Sequence, residues 1–359
     1  MKVLIVFNHP APYKVRSFNE LAKLVDLTVL FERVKANDRP DIFYSEKTYY
    51  FNAVFLKDGY IGKEGSISNG VKDFIKKHYL EYDHIIMNGY SHYAEIKAIN
   101  YMIKRHIPYI LLINGGVIKE KELFFIRNLK KKLISNASTY LSPSKASNEY
   151  LKFYGANKDK IFNYPYTNLV DSDFTNFAVD KKSLRIKHDL PRNKKIFISA
   201  SQFIKRKNNI QLLSLFKGRD EILLLVGDGP ERDNYFKYIK DNDMSNVIIT
   251  SYKPKKELFE LYKASDVFIT LSKEDIFGHT TLEALACCIP VISSDKVNSS
   301  LEYIKNGVNG FIVSLDNEEE IINAIKKAPK LDTTGINEPI KNNTFKSSAQ
   351  TIYKVLKKI

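Results

Sequence analysis

Residues 272–295 read SKEDIFGHTTLEALACCIPVISSD, and the fold can be worked outward from them. An apolar run ends at Leu271, a Phe277-Gly278 turn follows, and Thr280 or Thr281 is the expected opening of an apolar helix. Residues 291–293 are the next strand candidate. Strand, turn, helix and strand in that order form the repeating unit of a parallel α/β sheet. Such a turn leaves backbone N–H groups unpaired at a helix N-terminus, where a phosphate or a sugar hydroxyl can accept from them. Glu274 and Asp275 precede the turn, and Glu283 lies eight residues after Asp275. One carboxylate can reach sugar hydroxyls, and another can accept from a ribose, as the acidic residue of dinucleotide folds does. The same acids would also stabilise a bare helix start through its dipole. This stretch by itself does not decide between the two.

The pattern repeats on both sides. In the first half, strand candidates fall at 3–7, 27–31, 49–56, 85–87, 109–113 and 139–141, with helical periods at 15–25, 68–79 and 93–105. In the second half, strands are expected at 196–200, 222–226, 247–250, 267–271, 291–293 and 311–313, with helices at 208–216, 232–241, 256–263 and 281–288. Residues 164–188 carry Pro165, several Asn and Asp residues and no clean period, and read as a linker region. At 359 residues the chain has room for two domains, drawn at 1–168 and 169–344. A last helix, 345–359, has Ile352, Val355 and Leu356 spaced to pack on a domain, the first being the candidate. The expected fold class is α/β: two Rossmann-like domains facing across a cleft, with ligands at the carboxyl ends of the strands.

Composition bounds the chemistry. Hydrophobic residues at 44% and charged residues at 27% suit globular domains with real cores. The two cysteines, Cys287 and Cys288, are adjacent, which gives neither a disulfide framework nor metal-ligand spacing and fits a reducing compartment. The apolar run 3–7 ends at Asn8-His9-Pro10, too short for a secretory signal, and no stretch reaches the length of a membrane span. The expectation is a cytoplasmic protein. Net charge is +15, with 26 Lys+Arg against 16 Asp+Glu in residues 1–168 and 30 against 25 in the remainder. That excess favours an anionic partner, although a lysine-rich proteome would also produce it.

Two loops ahead of the acidic stretch narrow the reading. After the strand at 196–200 come Ser201, Gln202, Phe203, Ile204, Lys205, Arg206 and Lys207, and three consecutive cations suit a diphosphate. After the strand at 222–226 comes Gly227-Asp228-Gly229-Pro230, a tight turn whose glycines would let a ligand approach the backbone. Their order and spacing ahead of the acids carry more weight than either motif alone.

With these segments the second half resembles the nucleotide-sugar domain of the retaining GT-B glycosyltransferases of family 4. GDGPERD at 227–233 is similar to that family's GDGP turn. ELFELYKASDVFITLS at 257–272 is similar to its helix-and-strand lead-in, and DIFGHTTLEALACCIPVI at 275–292 to its E-x7-E motif. The resemblance implies that Lys207 contacts the donor pyrophosphate, with Arg206 beside it, and that Glu283 holds the ribose. It implies that the 275–281 loop (Phe277, Gly278, His279, Thr280 and Thr281) cradles the donor sugar and distal phosphate. It further implies retention at the anomeric carbon, with the leaving phosphate itself able to take the acceptor's proton. Three departures stand out. Asp275 replaces the first Glu, with Glu274 adjacent. Gln202 sits where many members have Arg. The first loop reads His9-Pro10-Ala11-Pro12-Tyr13 without the usual glycine pair, as in a branch of polysaccharide-assembly transferases. His9, Tyr13 and the Asn114-Gly115-Gly116 loop are the acceptor-side candidates.

No cofactor and no metal are expected: there is no HEXXH, Walker A loop or carboxylate repeat, and Asp241 and Asp243 fall at a helix end. Cys287 and Cys288 read as packing residues. Residues 119–134, KEKELFFIRNLKKKLI, carry six cations and two acids; as a helix, this segment would group Leu123, Ile126 and Leu133, flanked by Phe124 and Phe125. It suits an anionic membrane surface, the competing reading being a core-facing helix with a solvated basic face. The expected partners are a nucleotide sugar and a glycan or lipid-linked acceptor. Nucleic acid is not expected, because no aromatic stacking motif is interleaved with the basic residues. A nucleotide-sugar epimerase of the same fold and a non-catalytic sugar-nucleotide binder are the rival readings.

Overall fold

The structure is a computed structural model and is described at residues 1–35, 44, 48–56, 69–119, 121–174 and 180–359. It divides into two units, Met1–Asn168 with Asn343–Ile359, and Leu169–Asn342.

The first unit contains strands β1 (Lys2–Phe7), β2 (Asp26–Phe31), β3 (Asn52–Phe55), β4 (His84–Met87), β5 (Ile110–Leu112), β6 (Thr139–Ser142) and β7 (Ile161–Asn163). Among the described residues they form one parallel sheet in the order β3-β2-β1-β4-β5-β6-β7. Its helices are α1 (Pro12–Ala22), α2 (Gly70–His78), α3 (Tyr93–Lys104), α4 (Phe124–Ser135) and α5 (Lys145–Phe153). Because a parallel sheet is covered on both faces, its strands read as continuous apolar runs, and in β1 five successive residues are buried. The short edge strand β7, IFN, was not expected from the sequence; three residues are too few to display a period.

The second unit contains β8 (Ile196–Ala200), β9 (Ile222–Val226), β10 (Val247–Thr250), β11 (Val267–Thr270), β12 (Val291–Ser294) and β13 (Gly310–Val313), all parallel, in the order β10-β9-β8-β11-β12-β13. Its helices are α6 (Lys181–Lys187), α7 (Asn209–Phe216), α8 (Arg232–Asp241), α9 (Lys255–Ala264), α10 (His279–Ala286), α11 (Asn298–Tyr303) and α12 (Glu318–Lys327). Strand order reverses between β1 and β4 in one sheet and between β8 and β11 in the other. These are the switch points beside which doubly wound sheets bind ligands.

The linker reading of 164–188 needs correction. The units divide after Asn168, and α6 is built into the second one. Polar anchors hold it: buried Arg185 donates to the carbonyls of Ala264, Arg192 and Lys194 and pairs with Asp266 at 2.7 Å, Lys181 donates to the Ser265 carbonyl and pairs with Asp266, and Lys187 pairs with Glu260. An anchor made of hydrogen bonds leaves no apolar period to find. The chain finally returns to the first unit, where Thr167 donates to the Asn343 carbonyl at 2.7 Å and α13 (Phe345–Lys358) packs on α1 through buried Ile352, Val355 and Leu356.

Candidate active site

The loops that follow β8 and β9 are knitted together by their backbones. Phe203 N–H donates to the Asp228 carbonyl at 2.8 Å, and Glu231 N–H donates to the Phe203 carbonyl at 3.0 Å. Gly227 and Gly229 have φ of 150° and 152°. A Cβ on Gly229 would lie 2.6 Å from the Phe203 carbonyl oxygen, and one on Gly227 would fall inside the van der Waals envelope of the Ser201 carbonyl. These glycines therefore let a neighbouring loop approach their backbone closely. Fixed in this way, the chain turns through a short 3-10 segment, Lys205–Lys207, into Asn208, whose left-handed φ of 59° opens α7.

The loop after β11 is braced from the other side by the residues after β12. Asp275 N–H donates to the Lys296 carbonyl, Ser299 N–H to the Phe277 carbonyl and Asn298 Nδ2 to the Ile276 carbonyl, at 2.9, 2.7 and 2.9 Å. Gly278, at φ 92°, is the N-cap of α10, so the helix opens at His279, ahead of the threonines expected to start it. The Thr281 hydroxyl meets that of Ser300 at 3.0 Å in a fully buried position. The Phe277 ring is buried and packs edge-on against His279. His279 and Thr280 remain partly exposed in the first turn. Ser299 and Ser300 were not singled out from the sequence, because small polar residues before a short helix carry no distinctive signal.

The two loop systems meet. Lys273 N–H donates to the Arg206 carbonyl at 2.8 Å, Arg206 Nη1 donates to the Glu274 carbonyl at 3.0 Å, and Lys207 Nζ reaches Asp275 Oδ2 at 2.5 Å. Asp275 Oδ1 also accepts from Phe277 N–H at 3.3 Å, so both of its oxygens organise the loop. Gln202 and Arg206 are exposed beside it. One turn into α10, Glu283 is buried and accepts a hydrogen bond from the Tyr262 hydroxyl at 3.0 Å. The result is a cationic turn, a set of helix N-terminal amides and a buried carboxylate on one end of one sheet. That combination can take a diphosphate and a hydroxylated sugar.

The first unit carries a different population at its strand ends. His9 Nδ1 lies 3.0 Å from the Tyr44 hydroxyl, and Tyr13 packs edge-on toward Tyr166. Asn114 accepts from Lys14 Nζ at 2.7 Å, Gly115 has φ 145°, and Gly116 lies against the Tyr150 ring, where a Cβ would collide. Lys14, which the sequence reading passed over, is buried against Phe7 and Tyr166, and desolvation lowers its pKa to about 7. The neighbouring cavity, about 10 Å³, holds at most one water.

Among the described residues, one group has metal-ligand chemistry: Glu32, His92 and Glu95, whose candidate ligand atoms all lie within 4.8 Å of one another. Burial and the adjacent Glu32 push Glu95 up to about 8, against the N–H groups of His92 and Ser91 that it caps; burial and Arg33 bring His92 down to about 4. The sequence shows Glu95 three residues after His92 as a capping pattern, but not its proximity to Glu32.

Residues 121–123 precede α4 and are not helical, a shorter helix than the 119–134 reading implied. Only Leu133 and Ile134 of α4 are buried; Leu123, Phe124 and Phe125 are 61, 79 and 67% exposed. The core-facing alternative thus fails for the aromatic end. Lys130 is occupied, held by Glu122 at 2.5 Å and lying over the Tyr154 ring. Among the described residues, no helix is long and apolar enough to cross a membrane.

Comparison with known proteins agrees with this layout. Residues 180–347 match the family model described as glycosyl transferases group 1. N-acetyl-alpha-D-glucosaminyl L-malate synthase of Bacillus anthracis is 31% identical over 140 residues, 38% of this chain and 36% of that protein. The UDP-Gal:alpha-D-GlcNAc-diphosphoundecaprenol alpha-1,3-galactosyltransferase of Escherichia coli is 28% identical over 159 residues, 41% of this chain and 40% of that one. The matched stretches thus span well under half of either relative. Anabaena HepE in complex with UDP superimposes with a TM-score of 0.74 at 18% identity, covering 99% of this chain and 95% of that one. The chain has the GT-B fold, and residues 180–347 of its second half are similar to the glycosyl transferases group 1.

Proposed function

We propose that the protein is a retaining glycosyltransferase that moves a sugar, most simply a hexose, from a nucleotide donor to a glycan or lipid-linked acceptor in cell-surface polysaccharide synthesis. The observation that carries this reading is the closure of Lys207 and Arg206 onto the 274–278 loop at the head of α10. Negative charge develops on the departing nucleoside diphosphate. Two cations and the α10 amides are positioned to stabilise it, usually the largest catalytic contribution. In the free protein Lys207 is paired with Asp275; a diphosphate offers it a doubly charged acceptor. No step requires a metal, since these cations supply the charge. Support for the donor comes from the UDP held by HepE, and for a lipid-linked acceptor from the diphosphoundecaprenol substrate named for the E. coli relative.

The test is incubation with UDP-, GDP- and ADP-sugars, with and without undecaprenyl-diphosphate glycans, in excess chelator. Acceptor-dependent release of nucleoside diphosphate, with the donor's anomeric configuration kept in the product, is expected. Conversion of the donor sugar without acceptor would make the protein an epimerase. Donor binding with no product would make it a binder.

An anionic membrane is the proposed working surface, favoured by the exposed Phe124 and Phe125 beside Arg127, Lys131 and Lys132. Replacing Lys131 and Lys132 by Glu, and sparing the tied Lys130, removes two attractions of about 1 kcal/mol each and adds repulsion. Co-sedimentation with anionic liposomes should fall at least tenfold at low salt. Equal pelleting of variant and wild type would make this face ordinary solvated surface.

A further inference from the structure

We propose that Tyr262 is a positioning residue of the donor site, fixing the carboxylate of Glu283 so that nucleotide binding becomes selective for the ribose hydroxyls. The inference rests on the reading of Glu283 as the ribose acceptor. Tyr262 sits on α9 and is fully buried. Its ring is clasped edge-on by Phe259, at 6.1 Å and 70°, and by Phe268, at 5.8 Å and 77°. That clasp leaves the hydroxyl a single direction, and along it lies Glu283 Oε2 at 3.0 Å. A phenylalanine would fill the same packing space. The hydroxyl is therefore what distinguishes this side chain, and its partner is a carboxylate with little access to water.

A long acidic side chain has three rotatable bonds, and a ribose diol is recognised only if the carboxylate plane is held. Tyr262 supplies that hold from a neighbouring helix, at one of the four acceptor positions of the carboxylate. Mere packing of Tyr262 would act on every ligand of the site equally; positioning of Glu283 acts only through the ribose.

The experiment separates these. Affinities of UDP, GDP and ADP for the full chain are measured by calorimetry, and the tightest is compared with its 2′,3′-dideoxy analogue. Wild type should prefer the ribonucleotide at least tenfold. Tyr262→Phe should weaken the ribonucleotide about tenfold and the dideoxy analogue less than twofold. In the Glu283→Gln background Tyr262→Phe should have little further effect, because the two act as one unit. Equal weakening of both ligands, or additive effects of the two substitutions, would overturn the positioning role. Equal wild-type affinity for both ligands would instead overturn the ribose reading of Glu283, and no binding of any nucleotide would overturn the donor site itself.

Discussion

The two units put polar side chains at the same end of the same kind of sheet, yet they manage charge in opposite ways. In the second unit the charged groups are held by partners: Lys207 by Asp275, Arg206 by the Glu274 carbonyl, Glu283 by the Tyr262 hydroxyl. In the first unit they are buried away from their ordinary ionisation, with Lys14 brought down to about 7, His92 to about 4 and Glu95 up to about 8. A partly accessible ion pair can be exchanged for an anionic ligand at small cost. A desolvated group instead responds to its own proton, and its charge becomes linked to stability.

The largest effect that would break this contrast is at Lys207. Lys207→Ala should lower turnover about 100- to 1000-fold, the scale of losing one charge-stabilising donor. Steady-state kinetics on the same donor and acceptor decide it, and an unchanged rate would reduce the Lys207–Asp275 pair to a loop staple. Next comes the backbone crossing that sets this pair in place. Gly227→Ala drives a methyl into the Ser201 carbonyl at a φ that L-residues avoid, and should cost about 2 kcal/mol or more. Chemical denaturation monitored on the full chain, together with donor affinity, would report it; a neutral outcome would mean the two loops are free to separate.

The smallest effect sharpens the first unit's side. Glu95 has a folded pKa raised from 4.5 to about 8. Its protonated form therefore favours folding, a contribution complete below about 4.5 and lost as pH rises through about 8. His92, lowered from 6.5 to about 4, acts in the other sense: its contribution is present above 6.5 and lost as pH falls through about 4. Glu95→Gln keeps an acceptor for the Ser91 and His92 N–H groups. It should leave the melting temperature nearly unchanged at pH 4.5 and raise it by several degrees at pH 9. An equal shift at both pH values would mean that Glu95 is charged throughout, and the contrast between the units would weaken.

Much of the donor half was legible beforehand, because its signals are local. Apolar runs of four or five residues, Gly227-Asp228-Gly229-Pro230, and acids eight residues apart each act within a few residues of themselves. The first unit's strands were legible for the same reason, apart from the three-residue edge strand β7. Its acceptor-side candidates were chosen for their loops, whereas Lys14, Glu32, His92 and Glu95 carry no spacing that distinguishes them from helix surface or a cap.

By itself, then, the sequence determined a doubly wound parallel architecture in each half, because burial on both faces and turn chemistry write themselves into adjacent residues. It also determined which loops bear cations and which bear acids. Tertiary structure decided which of those groups meet. Lys207 and Asp275 are 68 residues apart and Tyr262 and Glu283 are 21 apart, joined only because β8 and β11 lie side by side and α9 packs on α10. It decided that Gly227 and Gly229 stand against the carbonyls of Ser201 and Phe203, that α6 is tied down by Arg185, Lys181 and Lys187, and that Phe124 and Phe125 face solvent. Parallel crossovers bring distant segments together without leaving a mark in either segment, and side-chain desolvation depends on everything packed around it, so neither can be read along the chain.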